Sequence, residues 1–129
     1  MRALANLTGP WTGWSIQDGR RISESLDLII TESTISGTGT DADGNFVVEG
    51  EHDAEGTVEL IRKYTYCTSA MGGVGIPYLY VGKWDGQMVH GRWSPVSYRE
   101  YGGPFEMWPA KEDISIEELR STEELLLTQ

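Results

Sequence analysis

A chain of 129 residues has the length of one ordinary domain and can bury a sizeable core without covalent staples. Its single cysteine excludes a disulfide framework within the chain, and a net charge of −10 argues against nucleic acid or an anionic membrane as partner. The 16 glycines, against a usual ~7% of residues, favour turns over helices, so the expected class is all-β.

Taken in chain order, the elements are hairpins. Asp18-Gly19, Asp43-Gly44 and Asp85-Gly86 each separate runs of alternating or β-branched residues. Such pairs suit two-residue turns, whose centres need positive φ. The strands are predicted at Pro10 to Gln17, Arg20 to Glu32, Thr34 to Asp41 and Asn45 to His52. Four more are predicted at Thr57 to Tyr66, Pro77 to Trp84, Gln87 to Trp93 and Gly103 to Trp108. An antiparallel run of eight relieves its open edges by closing, which predicts an eight-stranded up-and-down β-barrel; a two-sheet sandwich is the second expectation. Past Pro109, Ser115-Ile116-Glu117-Glu118 is a capping box, so residues 110–129 are expected to form a short acidic α-helix or tail within the same single domain as the barrel of residues 1–109.

Tight turns set register, and register sets which side chains share a face. Around Asp18-Gly19, Trp11 is expected opposite Leu26, and Gly13 opposite Glu24. Around Asp43-Gly44, Val48 is expected opposite Gly39, and Gly50 opposite Gly37. Around Asp85-Gly86, Trp84 is expected opposite Gln87, Tyr80 opposite Gly91, and Tyr78 opposite Trp93. The inward face then carries large aromatics and several glycines. In the fifth strand Val58, Leu60, Tyr64 and Tyr66 share a face with Arg62. Parity therefore points both Glu24 and Arg62 inward, and a buried carboxylate beside a guanidinium is tolerated where either alone is costly. The inward glycines have two readings: they let the strands bend, or they leave room for a guest.

Gly9-Pro10-Trp11, opening the first strand, resembles the Gly-x-Trp signature of the calycins, the group that holds lipocalins, fatty-acid-binding proteins and avidins. The resemblance implies a barrel whose first-strand Trp11 plugs one end while a basic residue from late in the chain packs over it. Lys111 and Arg99 are the late bases considered for that part.

The leading expectation is a non-enzymatic protein that holds a small apolar or aromatic ligand inside the barrel. Tyr78, Tyr80, Trp84 and Trp93 would form its walls, Trp11 its base, and Glu24 with Arg62 its polar contacts. A second reading keeps the barrel filled and places the function on the outer Leu79, Val81 and Met88 face or on the acidic tail, with a homo-oligomer formed through strands 77–84 and 87–93. An enzyme using Glu24 as acid or base is the third, since no nucleophile–base spacing is recognisable.

Other chemistries find little support. A calcium loop around Asp41-Ala42-Asp43-Gly44-Asn45 would need carboxylates where Gly39 and Gly50 stand. His52 and His90 have no third ligand close in sequence, and Gly72-Gly73-Val74-Gly75 lacks a dinucleotide fingerprint, so neither metal nor cofactor is expected. That glycine run is read as a loose loop that could cover one barrel mouth. Without an apolar leader or an apolar run long enough to span a bilayer, the expected location is a reducing cytoplasm.

Overall fold

Alternating apolar and polar residues curl the chain into a closed barrel. The computed structural model describes residues 2–68 and 73–110. A 3-10 turn at Leu4–Asn6 leads into β1 (Gly9–Gln17), β2 (Arg20–Ile30), β3 (Thr34–Asp41) and β4 (Gly44–His52). The second half contains β5 (Thr57–Cys67), β6 (Tyr78–Trp84), β7 (Val89–Pro95) and β8 (Gly103–Pro109). Each strand is antiparallel to the next, and β8 returns to β1 from Trp11 opposite Pro109 to Ser15 opposite Phe105. Closure removes every sheet edge, so the barrel displaces the sandwich. The expected C-terminal helix and Lys111 lie outside the described residues.

The first hairpin has the expected register, with Trp11 opposite Leu26 and Gly13 opposite Glu24. The other two are displaced by two residues. Phe46 faces Gly39 and Gly44 faces Asp41, so the second turn is Ala42-Asp43. Trp84 faces Val89 and Tyr80 faces Trp93, which makes the third connection four residues long, Asp85 to Met88. The physical reason is shared. Asp41 Oδ1 accepts hydrogen bonds from the Asp43 and Gly44 N–H groups, and Asp85 Oδ1 accepts from those of Gln87 and Met88. An aspartate that caps its own turn moves the turn relative to a bare two-residue loop. A shift of two preserves side-chain parity, so Phe46, Val48, Tyr80, Trp84 and Trp93 stay inward. Gln87, by contrast, falls in the turn, and Tyr66, opposite a register irregularity at Asn45/Phe46, is 59% exposed.

Leu28, Ile35, Val48, Val58, Leu60 and Met107 are at most 1% exposed in the barrel's interior. Two inward glycines explain how the packing is achieved. A Cβ at Gly39 would lie 2.4 Å from Cζ of Phe46, whose ring fills that place. At Gly37 it would lie 2.0 Å from the Asp27 carbonyl oxygen, so β3 approaches β2 more closely than any other residue permits. At these positions glycine serves curvature and packing.

One end of the barrel is plugged. Leu4 is buried, the Trp11 and Trp84 rings meet at 5.8 Å, and both indole N–H groups donate to the N-terminal segment, Trp11 to the Leu7 carbonyl and Trp84 to that of Arg2, each at 2.8 Å. A cation does cover a tryptophan here, but it comes from the start of the chain. The Arg2 guanidinium lies 5.8 Å from the Trp84 ring centroid, and its Nε donates to the Gly86 carbonyl. Arg99, one of the expected covers, is exposed in the β7–β8 loop at the opposite end.

Candidate binding site at the barrel mouth

The inward face changes character along the barrel. Above the aliphatic middle, Glu24 of β2 and Arg62 of β5 are both about 95% buried and form the ion pair expected from parity, Arg62 Nη1 donating to Glu24 Oε2. The guanidinium is sandwiched by rings, 4.6 Å from the Phe46 centroid and 3.9 Å from that of Tyr80. Burial disfavours its charge, yet Glu24 outweighs that and holds Arg62 firmly protonated. Glu24 Oε1 and Arg62 Nε and Nη2 have no hydrogen-bond partner within the described chain. The carboxylate meets Arg62 through Oε2 and does not line the cavity above.

Over this pair opens a cavity of about 450 Å³. Tyr80 and Trp93 are its innermost rings, buried and stacked on each other with centroids 6.5 Å apart. Trp93 is anchored by its indole N–H, which donates to the Ile16 carbonyl at 2.9 Å. Tyr64 of β5 and Tyr78 of β6 form the next wall, and Tyr98 and Tyr101 of the β7–β8 loop complete it. Successive rings are steeply inclined to one another. Tyr64 and Tyr78 are at 83°, Tyr78 and Trp93 at 65°, and Trp93 and Tyr101 at 85°. Tyr98 stacks parallel on Tyr101, at 2°.

Two phenols are tied to carboxylates. Tyr64 Oη donates to Asp41 Oδ2 at 2.6 Å, and Tyr101 Oη donates to Asp18 Oδ1. Burial first, then the Asp41 hydrogen bond, raises the Tyr64 phenol well above its ordinary value. Burial pushes Tyr80 up to about 12, although the Arg62 charge opposes it. Burial likewise raises Tyr78, and the bond to Asp18 raises Tyr101. At neutral pH these rings present hydroxyl dipoles, not phenolate charge.

The expected site residues divide into three groups. Tyr78, Tyr80 and Trp93 line one cavity. Glu24 and Arg62 meet beneath it without lining it. Trp11 and Trp84 pack together at the plugged end, far from the mouth, so Trp84 is not a wall of this cavity. Sequence reasoning missed Tyr98, Tyr101, Asp18 and Asp43. The signal was a second long connection between β7 and β8, rich in tyrosine, where only the loop after Cys67 stood out. Cys67 lines the same cavity, and residues 69–72 of its loop lie outside the described residues.

Elsewhere the surface is more open. Leu79, Val81 and Met88 on the outer wall are half-buried by their own neighbours. A wide, shallow groove passes Trp14, Met88 and Trp108 outside the barrel. Among the described residues, no group of His, Cys, Asp and Glu is arranged to hold a metal ion, and no helix is long and apolar enough to cross a membrane. Comparison with models of known families, with curated proteins and with solved structures finds no match for this chain.

Proposed function

We propose that this protein binds a small, largely apolar or aromatic molecule in the open mouth of its barrel, without chemical turnover. One observation carries the reading: the two ends are built differently. The plugged end seals Trp11 and Trp84 under the N-terminal segment, whereas the mouth holds a cavity of about 450 Å³ walled by aromatic rings, within the usual scale of small-molecule sites. Large exposed apolar side chains also gather there, with Tyr66, Val74, Ile76, Val96, Tyr98 and Tyr101 all on strand ends or loops of that end. A ligand that covered them would remove apolar surface from water. The closed eight-stranded barrel, plugged beneath a Gly-x-Trp opening, is compatible with a calycin-like scaffold, which supports the same reading.

The neutral aromatic probe N-phenyl-1-naphthylamine tests it. Its emission is expected to rise saturably with one site per chain, and Tyr78→Ala and Trp93→Leu are expected to weaken binding while the circular dichroism of the barrel persists. A response that never saturates, or that both substitutions leave unchanged, overturns the proposal. The outer-face alternative is tested by gel filtration, since Leu79→Glu with Val81→Glu dissociates an oligomer only if that face forms one.

A further inference from the structure

The mouth carries a charge as well as rings. Among the described residues, the acidic side chains that line it are those of Asp18 and Asp43, with Gln17 beside them. Asp41 stands just behind, held by the Tyr64 hydroxyl. Among the described residues, no lysine, arginine or histidine lines the cavity. Arg20, Lys63 and Arg99, each close in sequence to a lining residue, are exposed, and Arg92 turns its guanidinium to the Glu100 carbonyl. Arg62, the one cation below, is neutralised by Glu24 and spends its faces on Phe46 and Tyr80.

The walls reinforce this sign. Rings steeply inclined to one another around a cavity offer a guest both edges and faces, and the π-faces are negative. Tyr64, Tyr78, Trp93 and Tyr101 form such a series, and two of their hydroxyls donate to carboxylates, which makes those rings richer in electrons. An anion entering would meet carboxylates with no base to receive it. A neutral guest would gain apolar contact alone. A compact organic cation gains ring faces, carboxylates and apolar contact together.

We infer that the ligand is a small organic cation, an alkylated amine or quaternary ammonium, held by the aromatic box of Tyr64, Tyr78, Trp93 and Tyr101 under Asp18 and Asp43. The inference rests on the mouth being a ligand site and adds its chemical class. Asp18 has φ of 50° at the tip of the first hairpin, a left-handed conformation that asparagine also accepts, so its charge can be removed without disturbing the turn.

Three probes of nearly equal shape separate the terms: choline, 3,3-dimethyl-1-butanol and 3,3-dimethylbutyrate, which carry positive, zero and negative charge. By calorimetry at low ionic strength, choline is expected to bind about tenfold or more tightly than the alcohol, and the carboxylate weakest. Added salt should narrow the gap by screening it. The D18N/D43N double variant is expected to bring choline close to the alcohol while the binding of N-phenyl-1-naphthylamine persists. Tyr101→Leu should weaken choline more than Tyr101→Phe, which keeps the ring. Equal affinity for choline and the alcohol overturns the inference, as does a preference for choline that survives both the charge and the ring variants. If none of the three binds while N-phenyl-1-naphthylamine still saturates at the mouth, the cation class is wrong and the binding site stands. If that probe fails too, both proposals fall.

Discussion

The two ends of this barrel use the same kind of side chain for opposite purposes. At the plugged end Trp11 and Trp84 give their N–H groups to carbonyls of the N-terminal segment and are covered by Leu4 and Arg2. At the mouth, Tyr64 and Tyr101 give their hydroxyls to aspartates, and their rings face a cavity. Whether an inward aromatic residue becomes core or binding surface is therefore decided by what the rest of the chain lays over it. Between the two ends the Glu24–Arg62 pair marks the level at which a dry interior gives way to a polar one.

The sharpest way to break this division is to unbalance that level. Arg62→Met leaves the Glu24 charge buried without its partner, which should cost about 3–5 kcal/mol in urea unfolding. The double variant E24M/R62M should recover most of the loss, because two apolar side chains satisfy each other where one lone charge does not. A double variant no more stable than R62M would show that the pair is not coupled. Trp11→Ala should cost nearly as much, about 3–5 kcal/mol, by opening a cavity at the plugged end. In the fraction that stays folded, the affinity of the mouth for N-phenyl-1-naphthylamine should not change. A parallel loss of affinity would mean that the two ends are not independent.

Alkaline pH probes the same boundary more gently. The Tyr80 phenol is raised in the folded barrel from its ordinary 10.0 to about 12, chiefly by burial. A raised acid pKa favours the folded state fully below the unfolded value. That contribution, roughly 3 kcal/mol, should fade as pH rises from about 10 toward 12. Stability measured across that window is expected to fall, and Tyr80→Phe should flatten the fall. Tyrosine absorbance should show Tyr64, Tyr78 and Tyr80 ionising only above the usual phenol range. Full ionisation of all the tyrosines at their ordinary value would place water where the barrel is dry.

Most of the fold was legible because parity is robust. The displaced registers at Asp41 and Asp85 changed partners without moving residues such as Phe46 and Tyr80 off the inner face, and alternation within β2 and β5 paired Glu24 with Arg62 across 38 residues of sequence. The site was legible only in part. Period-two alternation says that Trp84 and Trp93 both point inward, but not that one lies under Arg2 and the other beneath an opening. Tyr98 and Tyr101 belong to a loop, where no alternation exists to be read, and their contacts with each other and with Trp93 arise from tertiary placement alone. The cation over the tryptophan came from Arg2 because the N-terminal segment folds across the barrel end, a contact that strand patterning does not encode.

The smallest effect on stability should come from the residue that tests the mouth most directly. Tyr98 is 58% exposed, and the stacking contact with Tyr101 is the one ring contact found for it. Tyr98→Ala should shift urea stability by no more than about 0.5 kcal/mol, as expected for an exposed side chain outside the core. If the outer ring serves the ligand, the same substitution should weaken the binding of N-phenyl-1-naphthylamine several-fold and shorten its residence. A change in binding without a change in stability is the mirror image of Trp11→Ala. Together the two variants separate the ring that holds the barrel shut from the ring that waits at its entrance. Unchanged binding in Tyr98→Ala would confine the site to the rings inward of it, Tyr64, Tyr78, Tyr80, Trp93 and Tyr101, and leave Tyr98 as packing for its loop partner.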